Sequence, residues 1–351
     1  MDLNAVQVAV VGATGAVGLE MLKILAGRGV VADRITALAS ERSAGRRLAY
    51  GSSTLEVREV SEASLSGADI VLLAASSDAA RRWAPVAMEL GADVVDNSSA
   101  FRMDAGVPLV VPEVNPEALA GSGSGARLIA NPNCSTIMML MAITPLRQRF
   151  GCRRLVVSTY QAVSGAGAAA MDELTSQTRT VLGGGEPTPE VFGEVCAFNV
   201  FSHDSELDPV TGRNREEEKL IQETRKIWGD DSVEVTATCV RVPVLRAHTE
   251  SINVTLGEPA TEAQVREAIG GFPGVELLDD RAANRFPTPL RASGRDEVLV
   301  GRIRHDGGAT PDPQGRSDRF DLICCGDQIR KGAALNAIQI AEELSARAPA
   351  G

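Results

Sequence analysis

A cysteine stands at the start of an apolar helical pattern over residues 134–141. Pro132 disfavours a helical Asn131, so a turn is expected before that helix. Asn133 is a good N-cap residue, which places Cys134 in the first turn. Unpaired N–H groups and the helix dipole would lower the pKa of its thiol and supply thiolate. The pattern indicates nucleophilic attack on a carbonyl, although a small buried cysteine is the more common occupant of such a position.

Three glycines at intervals of three, Gly12, Gly15 and Gly18, lie between a predicted strand over 6–11 and a predicted helix over 19–25. In this context the backbone approaches a pyrophosphate closely and directs helix N–H groups at it. The spacing differs from the commoner G-x-G-x-x-G, and a glycine turn without a ligand is the alternative. The residues predicted to contact a dinucleotide here are Gly12, Thr14, Gly15, Ala16 and Val17.

The end of the second predicted strand, over 35–39, favours one dinucleotide over the other. An NAD site usually carries an acidic residue there for the ribose hydroxyls. Here Ser40, Arg42 and Ser43 offer donors and a positive charge, which suit a 2′-phosphate. Glu41 weakens this interpretation, and a solvated surface charge is the alternative for Arg42. The segment predicts NADP rather than NAD.

The composition of the chain argues against several classes of partner. A chain of 351 residues, 44% hydrophobic and 23% charged, favours two globular domains. Its net charge of −11 argues against a nucleic-acid partner. We see no basic signal-peptide region and no membrane-spanning apolar run, so no membrane partner is expected. The six cysteines show neither a disulfide framework nor metal-ligand spacing, which favours the cytoplasm and no bound metal.

The predicted elements divide the chain in two. Strands and helices alternate over the first part, which predicts an α/β domain with a Rossmann-like parallel sheet over 1–133, completed by the C-terminal segment 331–351. Over 134–330, runs of strands mixed with a few helices predict an α+β domain with a mainly antiparallel sheet. The predicted strands cover 6–11, 35–39, 70–74, 94–96, 154–161, 233–243, 251–256, 298–304 and 320–325, and the helices 19–25, 79–90, 169–182, 216–228, 262–269 and 331–346.

Motifs along the whole chain occur together in one family. They occupy residues 12–18, 38–45, 96–102, 131–136, 158–167, 241–250 and 330–336. Through them the chain resembles the aspartate-semialdehyde dehydrogenase family nearly from end to end. The resemblance implies that β-aspartyl phosphate and NADPH react reversibly to aspartate semialdehyde, phosphate and NADP, on the route to lysine, threonine and methionine. It also implies a homodimer, with the domain over 134–330 providing catalysis and dimer contacts, and leaves open whether dimers form tetramers.

The resemblance assigns roles to particular residues. Cys134 would expel phosphate and hold a thioester, and His248 would be the general acid/base, since a histidine near its reference pKa can give and take a proton. Gln161 would contact the substrate near the reacting carbon. Arg241 would clamp the α-carboxylate with its planar fork. Arg102 and Asn133 would complete the phosphate pocket.

Glu216 and Lys219 are one helical turn apart and share a face. The resemblance gives Glu216 the substrate amino group and Lys219 the phosphate. A surface ion pair is the alternative, and the glutamate run 216–218 leaves the assignment open by one position. Ser164 and Gly165 would contact the cofactor, as would Gln328, which stands where the family usually has asparagine near the nicotinamide.

Other functions compete with this one. N-acetyl-γ-glutamyl-phosphate reductase shares the chemistry, but its acetylated substrate gives Glu216 no cation to bind. A glyceraldehyde-phosphate dehydrogenase also uses Cys and His, but in a different cysteine context. The third alternative is a catalytically inactive NADP-binding paralogue, against which the retained Cys134 and His248 both argue.

Overall fold

The computed structural model of the chain describes residues 3–121 and 125–347. Contacts within the chain divide it into two compact units. The first unit comprises Met1–Pro132 and Ala333–Gly351, and the second comprises Asn133–Gly332. Residues 1–2, 122–124 and 348–351, which the predicted domains include, lie outside the described residues.

The first unit is built on a parallel sheet. Six of its described strands pair in the order β5-β2-β1-β6-β7-β8, every pair parallel, and β3 and β4 form a separate hairpin. The strands are β1 (Val8–Val11), β2 (Ile35–Ala39), β3 (Arg47–Tyr50), β4 (Ser53–Glu56), β5 (Arg58–Glu59), β6 (Ile70–Leu73), β7 (Asp93–Asp96) and β8 (Leu128–Ala130). The helices between them are α1 (Ala16–Gly27), α2 (Glu62–Leu65) and α3 (Ser77–Glu89).

The strand order indicates a ligand crevice beside β1, where the order of the strands in the sheet reverses. From β1 the chain continues to β2 on one side, while β6 pairs on the other side. In open parallel sheets the crevice lies outside the carboxyl ends of such strands. β1 and β6 are buried along their whole length, as expected for central strands covered by helices on both faces.

The second unit is built on a mixed sheet. Seven described strands pair in the order β10-β11-β9-β12-β15-β14-β13, of which β11–β9 and β13–β14 are parallel and the rest antiparallel. The strands are β9 (Cys152–Gln161), β10 (Phe201–Ser202), β11 (Glu234–Arg241), β12 (His248–Thr261), β13 (Val275–Leu277), β14 (Val298–His305) and β15 (Arg316–Gly326). The helices are α4 (Cys134–Phe150), α5 (Ala168–Leu182), α6 (Arg215–Trp228), α7 (Glu262–Gly270) and α8 (Pro289–Ala292).

Helix α4 is the buried centre of the second unit. It packs against β12, α6 and α7, and its apolar residues 137–143 are completely buried. Such a helix needs hydrophobic residues around its whole circumference, which explains the Ile-Met-Met-Leu-Met sequence after Cys134.

The last helix returns to the first unit. A π-helical turn over Arg330–Ala334 leads into α9 (Leu335–Arg347), which packs against β7 and α1. Asn336 Nδ2 donates to the carbonyl of Val110 at 2.9 Å and to Asn131 Oδ1 at 2.7 Å. This fixes α9 beside the chain segment that leads to Cys134.

The predicted fold class is confirmed: a Rossmann-like parallel sheet and an α+β unit with a mainly antiparallel sheet. Two predicted boundaries were wrong in ways that affect the site. Helix α1 begins at Ala16 rather than at residue 19, and strand β12 begins at His248 rather than at residue 251. Within residues 3–121 and 125–347, every helix is too short or too polar to cross a membrane.

Candidate functional site

Cys134 is the first residue of α4, as predicted from the sequence. The Asn133 side chain caps the helix: its Oδ1 accepts from the N–H groups of Ser135 and Thr136 at 3.0 and 3.2 Å. Cys134 is half-buried, while both of the next residues are buried. A thiol in this position lies in the positive end of the helix dipole and can still be reached.

Two glutamates of α6 hold Asn133 in place. Its backbone N–H donates to Glu223 Oε2 at 2.6 Å, and its side-chain Nδ2 donates to Glu216 Oε1 at 2.8 Å. Sequence reasoning missed Glu223. The signal was available, because Glu216 and Glu223 are two helical turns apart and therefore lie on the same face as the buried Leu220.

Glu216 is the centre of a buried polar cluster. Its Oε1 also accepts from Gln161 Nε2 at 3.1 Å, and its Oε2 accepts from Lys219 Nζ at 2.9 Å. Burial opposes ionisation, but the Lys219 ammonium and the hydrogen bonds hold the pKa of Glu216 well below its usual range. Glu216 is therefore a carboxylate at neutral pH.

The other two glutamates of the run point elsewhere. Glu217 completes a capping box with Asn214 and accepts from the N–H of Cys239, while Glu218 pairs with Arg213. Of the three glutamates, Glu216 is the one that lies with Asn133 and Gln161. The surface ion pair considered for this residue does not describe it, because only 4% of Glu216 is exposed.

His248 starts β12 and is completely buried. Its Nδ1 accepts from the backbone N–H of Ala162 at 2.9 Å, and its Nε2 lies 3.4 Å from Gln161 Nε2. Burial, with a smaller contribution from Arg241, lowers the pKa of His248 to about 3. The expectation of a histidine near its ordinary pKa was therefore wrong, because a sequence position does not show how completely a ring is removed from water.

Arg241, the last residue of β11, is paired with an acid that sequence reasoning missed. Its Nε donates to Asp204 Oδ1 at 2.7 Å, and its guanidinium lies over the Phe192 ring, 5.2 Å from the centroid. Burial raises and the Arg241 charge lowers the pKa of Asp204, with a net lowering. Nη1 makes only a long contact of 3.4 Å to the Ala162 carbonyl, so part of the guanidinium fork remains for an anionic ligand.

Gly165 lies next to both Arg241 and His248. A Cβ on Gly165 would come within 3.1 Å of Arg241 Nη1 and 3.4 Å of His248 Nε2. Its missing side chain therefore leaves space in front of both groups. Ser164 and Gln328 meet nearby: Gln328 Nε2 donates to Ser164 Oγ, and Gln328 Oε1 accepts from the Ala247 N–H at 2.8 Å.

The second unit also contains a close approach to the cysteine. A Cβ on Gly332 would lie 2.7 Å from Cys134 Cβ and 3.4 Å from Gln328 Cβ. Glycine is thus required where the π-helical turn passes Cys134. Gln328 and Cys134 therefore both lie close to Gly332.

The first unit contains a cavity of about 500 Å³ at the carboxyl ends of β1, β2 and β6. The predicted cofactor residues Gly12, Thr14, Gly15, Ser40 and Arg42 line it. Ala16 and Val17 follow as the first residues of α1, and Ser43 follows Arg42 in a 3₁₀ turn. Among the described residues, Arg42 makes no hydrogen bond or ion pair, so its charge is available to a ligand.

The glycine turn is shaped for backbone approach. Gly12 has φ +85°, and a Cβ there would lie 2.2 Å from the Ala74 carbonyl oxygen. A Cβ on Gly18 would lie 2.2 Å from the Gly12 carbonyl oxygen. Gly15, the N-cap of α1, provides no side-chain cap and lines the cavity, so the first helical N–H groups have no side-chain acceptor.

Arg102 belongs to the first unit and is buried. Its Nε donates to the Asn131 carbonyl and one Nη to the Asn97 carbonyl, both at 2.9 Å. The loop that carries it is shaped by Asp96, which accepts from the Ser98 N–H and hydroxyl. Arg102 is thereby fixed to the chain segment immediately before Cys134.

Comparison with known proteins agrees with this geometry. A family model described as "Semialdehyde dehydrogenase, dimerisation domain" matches residues 143–331, and one described as "Semialdehyde dehydrogenase, NAD binding domain" matches residues 7–122. An aspartate-semialdehyde dehydrogenase of Synechocystis sp. is 49% identical, with 98% of each chain covered.

This chain belongs to the aspartate-semialdehyde dehydrogenase family.

Solved structures of the family share the fold. Aspartate semialdehyde dehydrogenase II of Vibrio cholerae, crystallised as a complex with ASA, is 42% identical and superposes with a TM-score of 0.91, covering 98% of this chain and 99% of its own. Aspartate semialdehyde dehydrogenase of Candida albicans, solved with NADP, is 25% identical with a TM-score of 0.73, covering 97% and 98%.

The predicted residues of this family member fall into two groups. The second unit brings together Asn133, Gln161, Glu216, Lys219 and His248 through consecutive hydrogen bonds and close contacts, with Cys134 adjoining Asn133. Arg241, Ser164, Gly165 and Gln328 lie in the same unit, while Arg102 and the residues of the glycine turn belong to the first.

Proposed function

We propose that this member of the family acts as an NADPH-dependent aspartate-semialdehyde dehydrogenase, which converts β-aspartyl phosphate to aspartate semialdehyde and phosphate through a thioester on Cys134. One buried hydrogen bond carries the proposal. Asn133, which caps the helix that begins at Cys134, donates from its side-chain Nδ2 to Oε1 of the ionised Glu216 at 2.8 Å. The reaction is reversible and serves the synthesis of lysine, threonine and methionine.

Cys134 is the nucleophile of this proposal. Its position at the start of α4 favours the thiolate electrostatically, since the helix dipole stabilises negative charge there. Attack on the acyl carbon forms the C–S bond and expels phosphate. Gln161 and His248 then lie beside the reacting carbonyl group.

The substrate's charged groups match the cluster around Glu216. Glu216 is an ionised acid inside the protein, which suits an ammonium group. Lys219, one turn further along α6, and Asn133 would take the phosphate together with Arg102. Arg241 would bind the α-carboxylate through the part of its fork that Asp204 leaves free.

The cavity at the glycine turn would hold the dinucleotide. The N–H groups at the start of α1 suit its pyrophosphate, and Ser40, Arg42 and Ser43 suit a 2′-phosphate. Ser164, Gly165 and Gln328 would contact its nicotinamide half. When bound, the cofactor supplies the hydride that reduces the thioester.

A homodimer is proposed from the match of residues 143–331 to a dimerisation domain. Its subunits would pair through the second unit. Sedimentation of the purified chain would show whether the dimer is the final state or pairs further into a tetramer.

A substrate comparison tests the activity. Oxidation of aspartate semialdehyde is followed as NADPH formation with and without phosphate, beside N-acetylglutamate semialdehyde and glyceraldehyde 3-phosphate, with Cys134→Ala as the blank. Phosphate-dependent turnover of aspartate semialdehyde alone is expected. Preference for the acetylated aldehyde would assign the chain to N-acetyl-γ-glutamyl-phosphate reduction, and NADP binding without turnover of any aldehyde would make it a non-catalytic relative.

A further inference from the structure

The residue before His248 has an unusual backbone conformation. Ala247 has φ +73°, in the left-handed region that residues other than glycine rarely adopt. Four non-glycine residues within 3–121 and 125–347 have a positive φ, and of these Ala247 alone is completely buried. Such a conformation persists only where the surrounding structure holds it. The contacts of Ala247 and its neighbours therefore have to oppose its relaxation.

One hydrogen bond to Gln328 fixes Ala247 directly. The Ala247 N–H donates to Gln328 Oε1 at 2.8 Å, and Gln328 Nε2 donates in turn to Ser164 Oγ. The chain just before Ala247 is bonded to the same serine, because the Leu245 carbonyl accepts from the Ser164 N–H at 3.2 Å. Ser164 thus holds the chain at Leu245 directly and at Ala247 through Gln328.

An ion pair holds the residue between these two. Arg246 Nε donates to Asp327 Oδ2 at 2.6 Å. The Asp327 side chain is completely buried, whereas 28% of the Arg246 side chain is exposed. The Arg246 carbonyl also accepts from the Ser293 hydroxyl at 3.2 Å. Arg246 is therefore fixed through its side chain and its backbone, so it has little freedom to follow a change of φ at Ala247.

Asp327 is itself fixed by backbone N–H groups. Its Oδ2 also accepts from the Gly294 N–H at 2.6 Å, and its Oδ1 accepts from the N–H groups of Ile329 and Arg330, both at 3.1 Å. A side chain with four donors around its two oxygens has one possible position. One buried carboxyl group therefore joins the loop of Arg246, the loop after α8 and the start of the π-helical turn.

We propose that Asp327 and Arg246 are positioning residues, whose ion pair holds Ala247 in the left-handed conformation. Through Ala247 the pair fixes the next residue, His248, and the amide of Gln328. The proposal rests on the function given above, in which these two side chains serve the substrate and the cofactor. Without the ion pair Ala247 can relax to a negative φ. That rotation would turn the His248 ring away from the backbone N–H that its Nδ1 accepts at 2.9 Å.

A second aspartate has the same construction elsewhere in the unit and provides a matched control. Asp279 pairs with Arg266, and its carboxylate accepts from the N–H groups of Arg302 at 2.8 Å and Ile303 at 3.3 Å. Its side chain is only 1% exposed, and Arg302 is likewise left-handed, with φ +56°. These contacts involve none of the predicted site residues. Loss of this ion pair should therefore affect stability without affecting catalysis.

Asparagine substitution separates positioning from stability. An amide can accept at only one of its two ends, so Asp327→Asn and Asp279→Asn each leave some donors without an acceptor. Both variants should lower the Tm. Asp327→Asn alone is expected to lower kcat, by about tenfold to a hundredfold, because small displacements of catalytic groups have large effects on rate. Equal effects of the two variants on kcat would overturn the proposal.

Glycine at position 247 tests whether the loss acts through Ala247. Glycine adopts a positive φ without steric cost, so the loop no longer needs the ion pair to hold it. The double variant Asp327→Asn/Ala247→Gly is expected to recover most of the kcat lost in Asp327→Asn. A purely structural ion pair gives no such rescue, and its absence would contradict the proposal. Arg246→Gln, at a partly exposed side chain, allows the same comparison if Asp327→Asn does not fold.

NMR of the His248 ring supplies a readout that does not depend on turnover. The chain has three histidines, so His203→Gln and His305→Gln identify the His248 signals of the labelled full-length protein. These signals should shift in Asp327→Asn, return towards the wild type in the double variant and stay unchanged in Asp279→Asn. Unchanged signals in Asp327→Asn would overturn the proposal. The expected shifts in a protein that does not turn over aspartate semialdehyde would support the role of the ion pair and contradict only the proposed function.

Discussion

The N-termini of α1 and α4 use one physical property in two different ways. α1 begins at Ala16 after Gly15, which provides no side-chain cap. α4 begins at Cys134 after Asn133, whose side chain accepts from two N–H groups of the first turn. The first helix therefore keeps its N–H groups for a ligand, and the second satisfies two of its own.

The difference follows from what each end must stabilise. A pyrophosphate comes from outside and needs several N–H donors at once. A thiolate at Cys134 belongs to the helix and needs chiefly the field of its dipole. Because Asn133 also donates to Glu216, its cap couples α4 to the polar cluster. The α1 site, which is built from backbone N–H groups, and the α4 site, which is built from side chains, should therefore respond differently to substitution.

Cys134→Ala should break the α4 site alone, with the largest effect of all. Without the sulfur no thioester forms, so turnover should vanish. NADP binding, measured by calorimetry, should remain nearly intact because the α1 site is unchanged. Substantial phosphate-dependent activity in the variant would disprove the covalent mechanism.

Gly18→Ala should break the α1 site alone. The added Cβ would lie 2.2 Å from the Gly12 carbonyl oxygen, so the turn must shift. We expect NADP binding to be lost and the free energy of unfolding to fall by about 1–3 kcal/mol. Gly27→Ala is the matched control in the same helix, with open space around its Cβ. A loss of binding in the control as large as in Gly18→Ala would refute this explanation.

Glu216→Gln should change how the free energy of unfolding depends on pH. The folded protein lowers the pKa of Glu216, so the ionised group stabilises the fold above the ordinary carboxyl pKa of 4.5, and this contribution is lost as pH falls below it. Urea unfolding should show the variant less stable than the wild type near pH 7, with the difference shrinking below about pH 4.5. A difference independent of pH would mean that the charge is not involved.

Arg42→Ala should test whether Arg42 binds the 2′-phosphate of NADP in the cavity beside α1. A charge-assisted bond to a 2′-phosphate contributes about 1.5–3 kcal/mol, so Kd for NADP should rise about ten- to a hundredfold while Kd for NAD changes little. Arg46→Ala, an exposed change of equal charge outside the cavity, is the control. Equal losses for NADP and NAD would remove Arg42 from the 2′-phosphate site.

Substitution of Asn133 should have a modest effect on stability and separate its two roles. Asn133→Ala removes the cap and should lower the free energy of unfolding by about 1 kcal/mol. Asn133→Asp keeps a cap but places a second carboxylate beside Glu216, which should raise the apparent thiol pKa of Cys134. The measurement is the rate at which iodoacetamide modifies Cys134 as a function of pH. If this pH profile is the same in Asn133→Asp as in the wild type, the cap and Glu216 are not coupled to the thiol.

The sequence predicted best what depends on neighbours along the chain. The N-cap at Asn133, the helix start at Cys134 and the glycine turn follow from spacing and backbone preference alone. The structure has Asn133, Cys134, Gly12 and Gly15 where the sequence predicted them, and it has Gly18 inside α1. The 3.6-residue period likewise placed Glu216 and Lys219 on one face, where they form an ion pair.

What depends on distant chain segments could not be predicted. Glu223 binds the N–H of Asn133 across 90 positions, and Asp204 binds Arg241 across 37. Complete burial lowers the pKa of His248, and its Nδ1 accepts from the Ala162 N–H, 86 positions away. Local sequence can place Glu223 on the same helical face as Glu216, but it does not show these partners or the pKa, because folding creates the environment that sets them.

Trapping the acyl-enzyme tests the central claim most directly. The protein is mixed with aspartate semialdehyde and NADP in the absence of phosphate, quenched in acid and digested for mass spectrometry. The account predicts one NADPH per active site and an aspartyl adduct on the Cys134 peptide that disappears when phosphate is added before the quench. NADPH formed without an adduct on Cys134, or an adduct on another cysteine, would contradict it.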